Sequence, residues 1–112
     1  TIGGAVTINN PTTTEQSHGT HTLSGTDNYD WFRVYLTGGR SYNFNTIGGT
    51  GDNYGELYKC GTMVASNDDG GGAYQFSLTY RTSTTGWCYV RVRAYSAGTS
   101  CRYSLKYRDL GP

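Results

Sequence analysis

Catalytic residue types are few in this chain and poorly placed for chemistry. Its two histidines, His18 and His21, stand in the segment HGTH at the end of a polar, threonine-rich stretch. No serine or cysteine triad can be built around them in chain order, and no pair of carboxylates falls on adjoining predicted strands. Histidines three residues apart on a polar segment share no fixed face for a metal ion, so we expect solvent-exposed loop residues. The sequence therefore predicts a protein that is not an enzyme.

Four aspartates near predicted turns are the best candidates for a cation site. Asp27 and Asp30 flank the start of a predicted strand, while Asp68 and Asp69 stand before three glycines. Clustered carboxylates and backbone carbonyls on loops are the ligands that Ca²⁺ requires. We therefore predict a structural calcium ion at these four residues. The alternative is that the aspartates are turn formers that hydrogen-bond to their own backbone.

A third set of residues combines aromatic rings with arginines. In WFRVYL, residues 31–36, every second residue is apolar, namely Phe32, Val34 and Leu36, and the intervening positions hold Trp31, Arg33 and Tyr35. Successive side chains of a strand point to opposite faces, so the apolar parity is expected to form the core and the other parity to face outward. The same alternation in two further segments adds Glu56, Tyr58, Trp87, Tyr89, Arg91, Arg93 and Tyr95 to the outward set. The predicted binding residues among them are Trp31, Arg33, Tyr35, Tyr58, Trp87, Tyr89, Arg91 and Arg93.

The chemistry of this outward set is recognition. Flat aromatic rings stack on sugar rings, and arginines donate planar, paired hydrogen bonds to carboxylates or hydroxyls. We therefore predict a ligand-binding surface for an extracellular polymer, with a polysaccharide as the first choice. Two alternatives remain open, namely that arginines stacked on tyrosines only stabilise the sheet, and that the surface docks a neighbouring domain.

A β-sheet is needed to position these side chains. The 17 glycines and 11 tyrosines, and the absence of apolar residues at helical spacing, argue against helix. Turn signals recur every eight to twelve residues, which is typical of an all-β, antiparallel β-sandwich. The predicted strands, about eight in number, lie near 20–24, 30–37, 41–47, 54–59, 63–66, 74–81, 87–95 and 101–108.

The length of 112 residues fits one domain. Residues 1–19 are predicted to be a polar N-terminal arm or linker without a core role, carrying a short strand near 5–8, and residues 20–112 a single β-sandwich module. A net charge of +1 provides no general attraction to nucleic acid, and no apolar run is long enough to span a membrane. The few lysines and three cysteines favour a secreted, extracellular protein.

Eight short motifs occur in order between about residues 20 and 108. They are DNYDWFRV at 27–34, TGGRSY at 37–42, LYKCGT at 57–62, ASNDDGG at 65–71, LTY at 78–80, GWCYVRV at 86–92, AYSAG at 94–98 and YSL at 103–105. With these motifs the chain resembles the bacterial pre-peptidase C-terminal (PPC) domain family and, more distantly, the collagen-binding domains of bacterial collagenases. The resemblance implies a jelly-roll β-sandwich appended to a secreted hydrolase.

The implied topology brings distant residues together. In the jelly-roll order the strand of Trp31 lies beside that of Trp87, which lies beside that of Tyr58, so the outward set becomes one contiguous face. The same order places Cys60 and Cys88 at one end of neighbouring strands, which implies a disulfide between them. Three reduced cysteines are the alternative.

The resulting functional prediction is a non-catalytic accessory module that attaches a parent hydrolase to a polysaccharide or another extracellular polymer. A calcium-assisted module that binds collagen or another protein is one alternative, because the collagen-binding domains that this chain resembles bind calcium between an acidic linker and loop aspartates. A secretion or folding domain that is removed on maturation is the other.

Overall fold

A computed structural model describes residues 5–23, 29–50, 53–67, 76–94 and 101–112. These residues form nine β-strands and no α-helix. The strands are β1 (Val6–Thr7), β2 (Gln16–Leu23), β3 (Tyr29–Leu36), β4 (Arg40–Thr50), β5 (Asn53–Lys59), β6 (Thr62–Asn67), β7 (Ser77–Thr82), β8 (Gly86–Ala94) and β9 (Cys101–Gly111).

The strands are arranged in two sheets. A five-stranded sheet has the order β1-β3-β8-β5-β6, and a four-stranded sheet has the order β2-β9-β4-β7. All the pairings are antiparallel except that of β1 with β3. The predicted all-β sandwich is confirmed, and β8 lies between β3 and β5 as the jelly-roll order implies.

The core lies between the sheets because each strand alternates apolar and polar residues with a period of two. On β3, Phe32, Val34 and Leu36 are at most 1% exposed, while the residues between them are partly exposed. Removing a side chain such as Phe32 from this core would cost about 3–5 kcal/mol. The buried apolar residues are Ile8, Leu23, Phe32, Val34, Leu36, Tyr42, Phe44, Leu57, Phe76, Leu78, Cys88, Val90, Val92, Ala94, Tyr103, Leu105 and Tyr107.

The N-terminal segment contributes more to the fold than its polar sequence suggests. Strand β1 occupies part of the short strand expected near residues 5–8, and it pairs with β3. The next residue, Ile8, is 3% exposed in the core, and its backbone N–H donates to the Arg33 carbonyl at 2.9 Å. The arm was expected to end at residue 19, whereas β2 already begins at Gln16.

The two cysteines expected to form a disulfide are both free thiols. Cys88 lies on β8 with its side chain buried in the core, and its partner in register on β5 is Lys59. Cys60 comes one residue later, in the turn after β5, where a φ of 54° puts its backbone in the left-handed region and its side chain is exposed. The predicted Cys60–Cys88 bridge is therefore wrong for this structure, because one thiol is buried and the other points to solvent. Burial also raises the pKa of the Cys88 thiol.

A buried polar cluster links the two sheets at the start of β5. The Thr46 hydroxyl donates to the Asn53 side-chain oxygen at 2.8 Å, and the backbone N–H of Phe76 donates to both side chains. The Phe76 ring then lies against Gly55, where an added Cβ would come within 2.3 Å of the ring. Only glycine fits this close approach.

Replacing Gly55 by alanine is therefore expected to lower the free energy of unfolding by about 1–3 kcal/mol, because the ring of Phe76 or the strand must move. Gly86→Ala is the matched control, since nothing lies within 4 Å of a Cβ added there in β8. It should leave the free energy unchanged or raise it by up to about 1 kcal/mol. Denaturant titration measures both values, and equal effects of the two variants would contradict the packing described for Gly55.

The two thiols should also react differently. In the native protein N-ethylmaleimide is expected to modify Cys60, while Cys88 should react only after unfolding, because it is 1% exposed. Peptide mass spectrometry with and without denaturant measures this difference. Recovery of a Cys60–Cys88 linked peptide from the native protein would contradict the structure.

Candidate functional site

The predicted outward residues, apart from Tyr95, which lies outside the described residues, lie together on the outer surface of the five-stranded sheet. The registers of β3, β8 and β5 align them in rows that run across the three strands. From one end to the other the rows are Tyr29–Arg93–Tyr54, Trp31–Arg91–Glu56, Arg33–Tyr89–Tyr58 and Tyr35–Trp87. These eleven residues are called the arginine–aromatic face below. They include all eight residues of the predicted ligand-binding set, whose role in binding stays a prediction.

Arg91 occupies the middle of this face. Its Nε and Nη2 atoms each lie 2.5 Å from Oε1 of Glu56, a side chain that is 8% exposed. Its guanidinium carbon lies 4.6 Å from the ring centre of Tyr29, 5.4 Å from Trp31 and 5.6 Å from Tyr58. Burial of Arg91 opposes its charge, but Glu56 outweighs burial, and the pKa of Arg91 is raised. Arg91 is thus a permanently charged centre around which the rings are stacked.

Glu56 also forms an ion pair with a second arginine, Arg93. Arg93 Nε lies 3.9 Å from the same Oε1 atom, and the Arg93 guanidinium stacks 4.3 Å from the ring centre of Tyr54. Burial, with a contribution from the Glu56 charge, raises the pKa of Tyr58. The phenol is therefore neutral at physiological pH. The half of the face formed by its first two rows thus contains two guanidiniums and one carboxylate.

The other half has no such carboxylate among the residues that the structure describes. The Arg33 guanidinium lies over the Trp87 ring, with its carbon 3.9 Å from the ring centre. Arg33 Nε is buried and has no hydrogen-bond partner in this part of the structure. Tyr35 packs its ring against Trp87 edge to face, with the centroids 5.2 Å apart. Trp87 is 43% exposed, so part of its indole remains open to a ligand.

Two aromatic members of the face are missing from the predicted set. Tyr29 is 48% exposed and contacts Arg91, and Tyr54 contacts Arg93. Tyr29 lies two residues before Trp31 on β3 and Tyr54 four residues before Tyr58 on β5, so both point to the same face as those residues. Extending the alternation to the first residues of each strand would have found them.

The predicted calcium ligands are only partly within the described residues. Asp27, Asp68 and Asp69 lie outside them. Asp30 has the opposite parity to Trp31, and its carboxylate accepts a 2.5 Å hydrogen bond from the Tyr103 hydroxyl on β9. Within the described ranges no three His, Cys, Asp or Glu residues are arranged to hold a metal ion. Calcium binding stays a prediction.

The histidines are not the solvent-exposed loop residues that the sequence suggests. Both lie in β2, are half-buried, and have ring nitrogens 2.9 Å apart, His18 Nδ1 to His21 Nε2. The His21 ring centre lies 5.0 Å from that of Phe32 and 5.5 Å from that of Tyr103. The prediction fails because β2 has a bulge. His18 pairs with Leu105 and His21 with Tyr103, so one extra residue turns two side chains three apart to the same side.

Comparisons of the sequence with protein-family models and with curated proteins found no match. Among solved structures, the chain is similar to the pre-peptidase C-terminal domain of the collagenase from Bacillus anthracis. The identity is 14% and the TM-score 0.62, over 94% of this chain and 93% of that chain. The chain has the fold of a PPC domain.

The same fold is found in a protein with another role. The chain is also similar to PliG from Aeromonas hydrophila, a periplasmic inhibitor of g-type lysozyme, with 14% identity and a TM-score of 0.66 over 94% of this chain and 95% of that chain. No helix in the described part of this PPC-like chain is long and apolar enough to cross a membrane.

Burial lowers the pKa of His21 below its ordinary value of 6.5; the nearby Asp30 opposes this effect and His18 adds to it. The folded state therefore favours the neutral ring more than the unfolded chain does. The free energy of unfolding is expected to be constant above pH 6.5 with respect to this group and to fall as the pH drops from 6.5 toward the lowered pKa.

The prediction for His21→Asn is a shallower loss of stability than wild type between pH 7.5 and pH 5. Denaturant titrations at a series of pH values measure this slope. The lowered pKa would be contradicted if the variant and the wild type lost stability equally over that range.

Proposed function

We propose that this chain is a non-catalytic binding module of an extracellular or periplasmic protein, and that its arginine–aromatic face binds a polysaccharide. The observation that carries the proposal is the composition of this face, with six ring-bearing residues, Tyr29, Trp31, Tyr35, Tyr54, Tyr58 and Trp87, contacting each other or three arginines. Aromatic rings beside paired donors are the groups that stack on sugar rings and hydrogen-bond to their substituents.

The outer surface of the other sheet provides the contrast. There the Asn43 amide donates to Ser77 Oγ at 3.0 Å, to the Leu78 carbonyl at 3.1 Å and to Thr79 Oγ1 at 3.0 Å. These polar groups satisfy one another, as expected for a surface that only faces water. The outer face of this sheet also carries charged side chains, among them Arg102, Lys106 and Arg108 of β9, so what distinguishes the arginine–aromatic face is its cluster of rings, which favours a partner.

The geometry of the face also favours a long, regular ligand. Its rows cross three adjacent strands, which in antiparallel sheets lie roughly 4.8 Å apart. The rings are held by neighbours, as in the Trp31–Tyr58 pair at 5.3 Å and the Tyr35–Trp87 pair at 5.2 Å. Side chains held in this way lose less conformational entropy when a ligand binds, where each mobile side chain would cost about 0.5–1.5 kcal/mol.

The module role is supported by the similar structures. One is the C-terminal domain of a collagenase and the other is an inhibitor protein. Both fit a domain that assists or regulates an enzyme outside the cytoplasm. We accordingly propose a secreted hydrolase as the parent protein, to which this module supplies attachment to the polymer.

A second candidate, binding to a protein, is favoured by the similarity to the lysozyme inhibitor. The rings and arginines of the face are also residue types that protein interfaces prefer. Adding the purified domain to g-type lysozyme tests one such partner. Inhibition of the lysozyme, lost on Trp87→Ala, would favour this second function over polysaccharide binding.

Depletion of the purified domain from solution by chitin, cellulose, xylan, an alginate gel and collagen tests the first function. We expect depletion by at least one polysaccharide and a loss of about tenfold or more in affinity for Trp87→Ala, because stacking on an exposed tryptophan contributes a large part of sugar binding. Calcium and chelator arms show whether the predicted aspartates take part.

Leu110→Ala is the matched control, since Leu110 on β9 is 45% exposed, close to the 43% of Trp87. This variant should bind as the wild type does. The proposal is overturned if no polysaccharide depletes the domain, or if depletion is the same for Trp87→Ala. Binding to collagen alone would move the function to the protein class.

A further inference from the structure

The arginine–aromatic face carries an excess of positive charge. Three of its residues, Arg33, Arg91 and Arg93, are guanidiniums, and Glu56 is its one carboxylate among the described residues. The whole chain has a net charge of only +1. The face therefore carries more positive charge than the molecule as a whole, and a ligand with negative charge complements it.

This charge is also unevenly distributed. Glu56 lies 2.5 Å from Arg91 and 3.9 Å from Arg93, so it offsets one of the two positive charges in the first two rows. Arg33 makes no ion pair within the described residues. Its neighbours in register are Tyr89 on β8 and Thr7 on β1, neither of which carries a charge. Arg33 is thus the guanidinium of the face that has no carboxylate partner among the described residues.

The Arg33 guanidinium is held in place beside Trp87. It stacks on Trp87 at 3.9 Å, and its Nε is buried without a hydrogen-bond partner. A guanidinium held over a ring by its Nε side can still offer its two terminal nitrogens to the two oxygens of a carboxylate. Fixing the long side chain beforehand reduces the entropy that binding would otherwise cost.

A sugar ring and an acid group are needed at adjacent positions to use these features together. The partly exposed Trp87 indole offers the stacking surface, and Arg33 offers the paired donors directly beside it. A uronic acid carries its carboxylate on the sugar ring itself, so one residue of the polymer reaches both side chains. A neutral sugar would leave the Arg33 charge without a partner.

We infer that Arg33 and Trp87 form an anion subsite that selects acidic polysaccharides built from uronic acids. This inference rests on the proposed function and names the class of polymer. Arg91 and Arg93, paired with Glu56, hold the rings in place and contribute less to the choice of ligand.

Isothermal titration with polygalacturonate and with its methyl ester tests the subsite, because esterification removes the charge of the carboxyl group and leaves the sugar backbone unchanged. Alginate and its propylene glycol ester form a second such pair. We expect the acid forms to bind at least about tenfold more tightly than their esters, and raising the salt concentration should weaken only the acid forms.

Arg33→Gln should remove this difference between acid and ester while leaving the thermal unfolding midpoint within a few degrees of wild type. Arg33→Lys should keep only part of it, since lysine lacks the planar fork. Arg108→Gln is the charge-matched control, because Arg108 is an exposed residue of β9 on the outer face of the other sheet, and it should bind as wild type.

The outcomes separate the two proposals. Equal binding of acid and ester that is lost on Trp87→Ala would overturn the anion subsite and keep polysaccharide binding. Equal weakening by Arg33→Gln and Arg108→Gln would overturn it as well, since the attraction would then be nonspecific. If none of the four polymers binds, the anion subsite is wrong. Depletion by chitin, cellulose or xylan then decides whether the proposed function survives.

Discussion

Three guanidiniums on one sheet face repel one another, and the site depends on the Glu56 carboxylate, which reduces this repulsion. This carboxylate, 8% exposed, lies 2.5 Å from Arg91 and near Arg93. An arginine paired in this way is stable beneath aromatic rings, and Tyr29, Trp31 and Tyr58 all lie within 5.6 Å of its guanidinium carbon. Because one carboxylate cannot pair with every arginine, Arg33 at the far end retains its charge for a ligand.

The sandwich makes this arrangement rigid. β8 lies between β3 and β5 in an unbroken register, so the outward residues Tyr89, Arg91 and Arg93 of β8 have fixed neighbours on both sides. The inward residues of the same strands, such as Phe32 and Val90, are buried in the core and hold the backbone in place. The outer face can therefore carry an unusual density of rings and charges without relying on its own contacts for stability.

The two-residue period of strands explains what the sequence made predictable. It separates Trp31, Arg33 and Tyr35 from the core residues between them, and it correctly indicates an all-β sandwich. It cannot reveal a bulge, which is why the inward turn of His18 and His21 was unexpected. Contacts between residues far apart in the sequence were equally unpredictable. Nothing local in the sequence says that Glu56 pairs with Arg91 rather than Arg33, or that Cys60 adopts a left-handed turn away from Cys88.

Side-chain NMR during titration with a galacturonic acid trimer tests the central claim most directly. The account predicts that the Arg33 Nε–H and Trp87 indole N–H signals shift together as the trimer is added, whereas the Nε–H signals of Arg91 and Arg93 move little because Glu56 holds both groups. Shifts confined to Arg102 and Arg108 on the other sheet, or no shift at saturating trimer, would contradict the account.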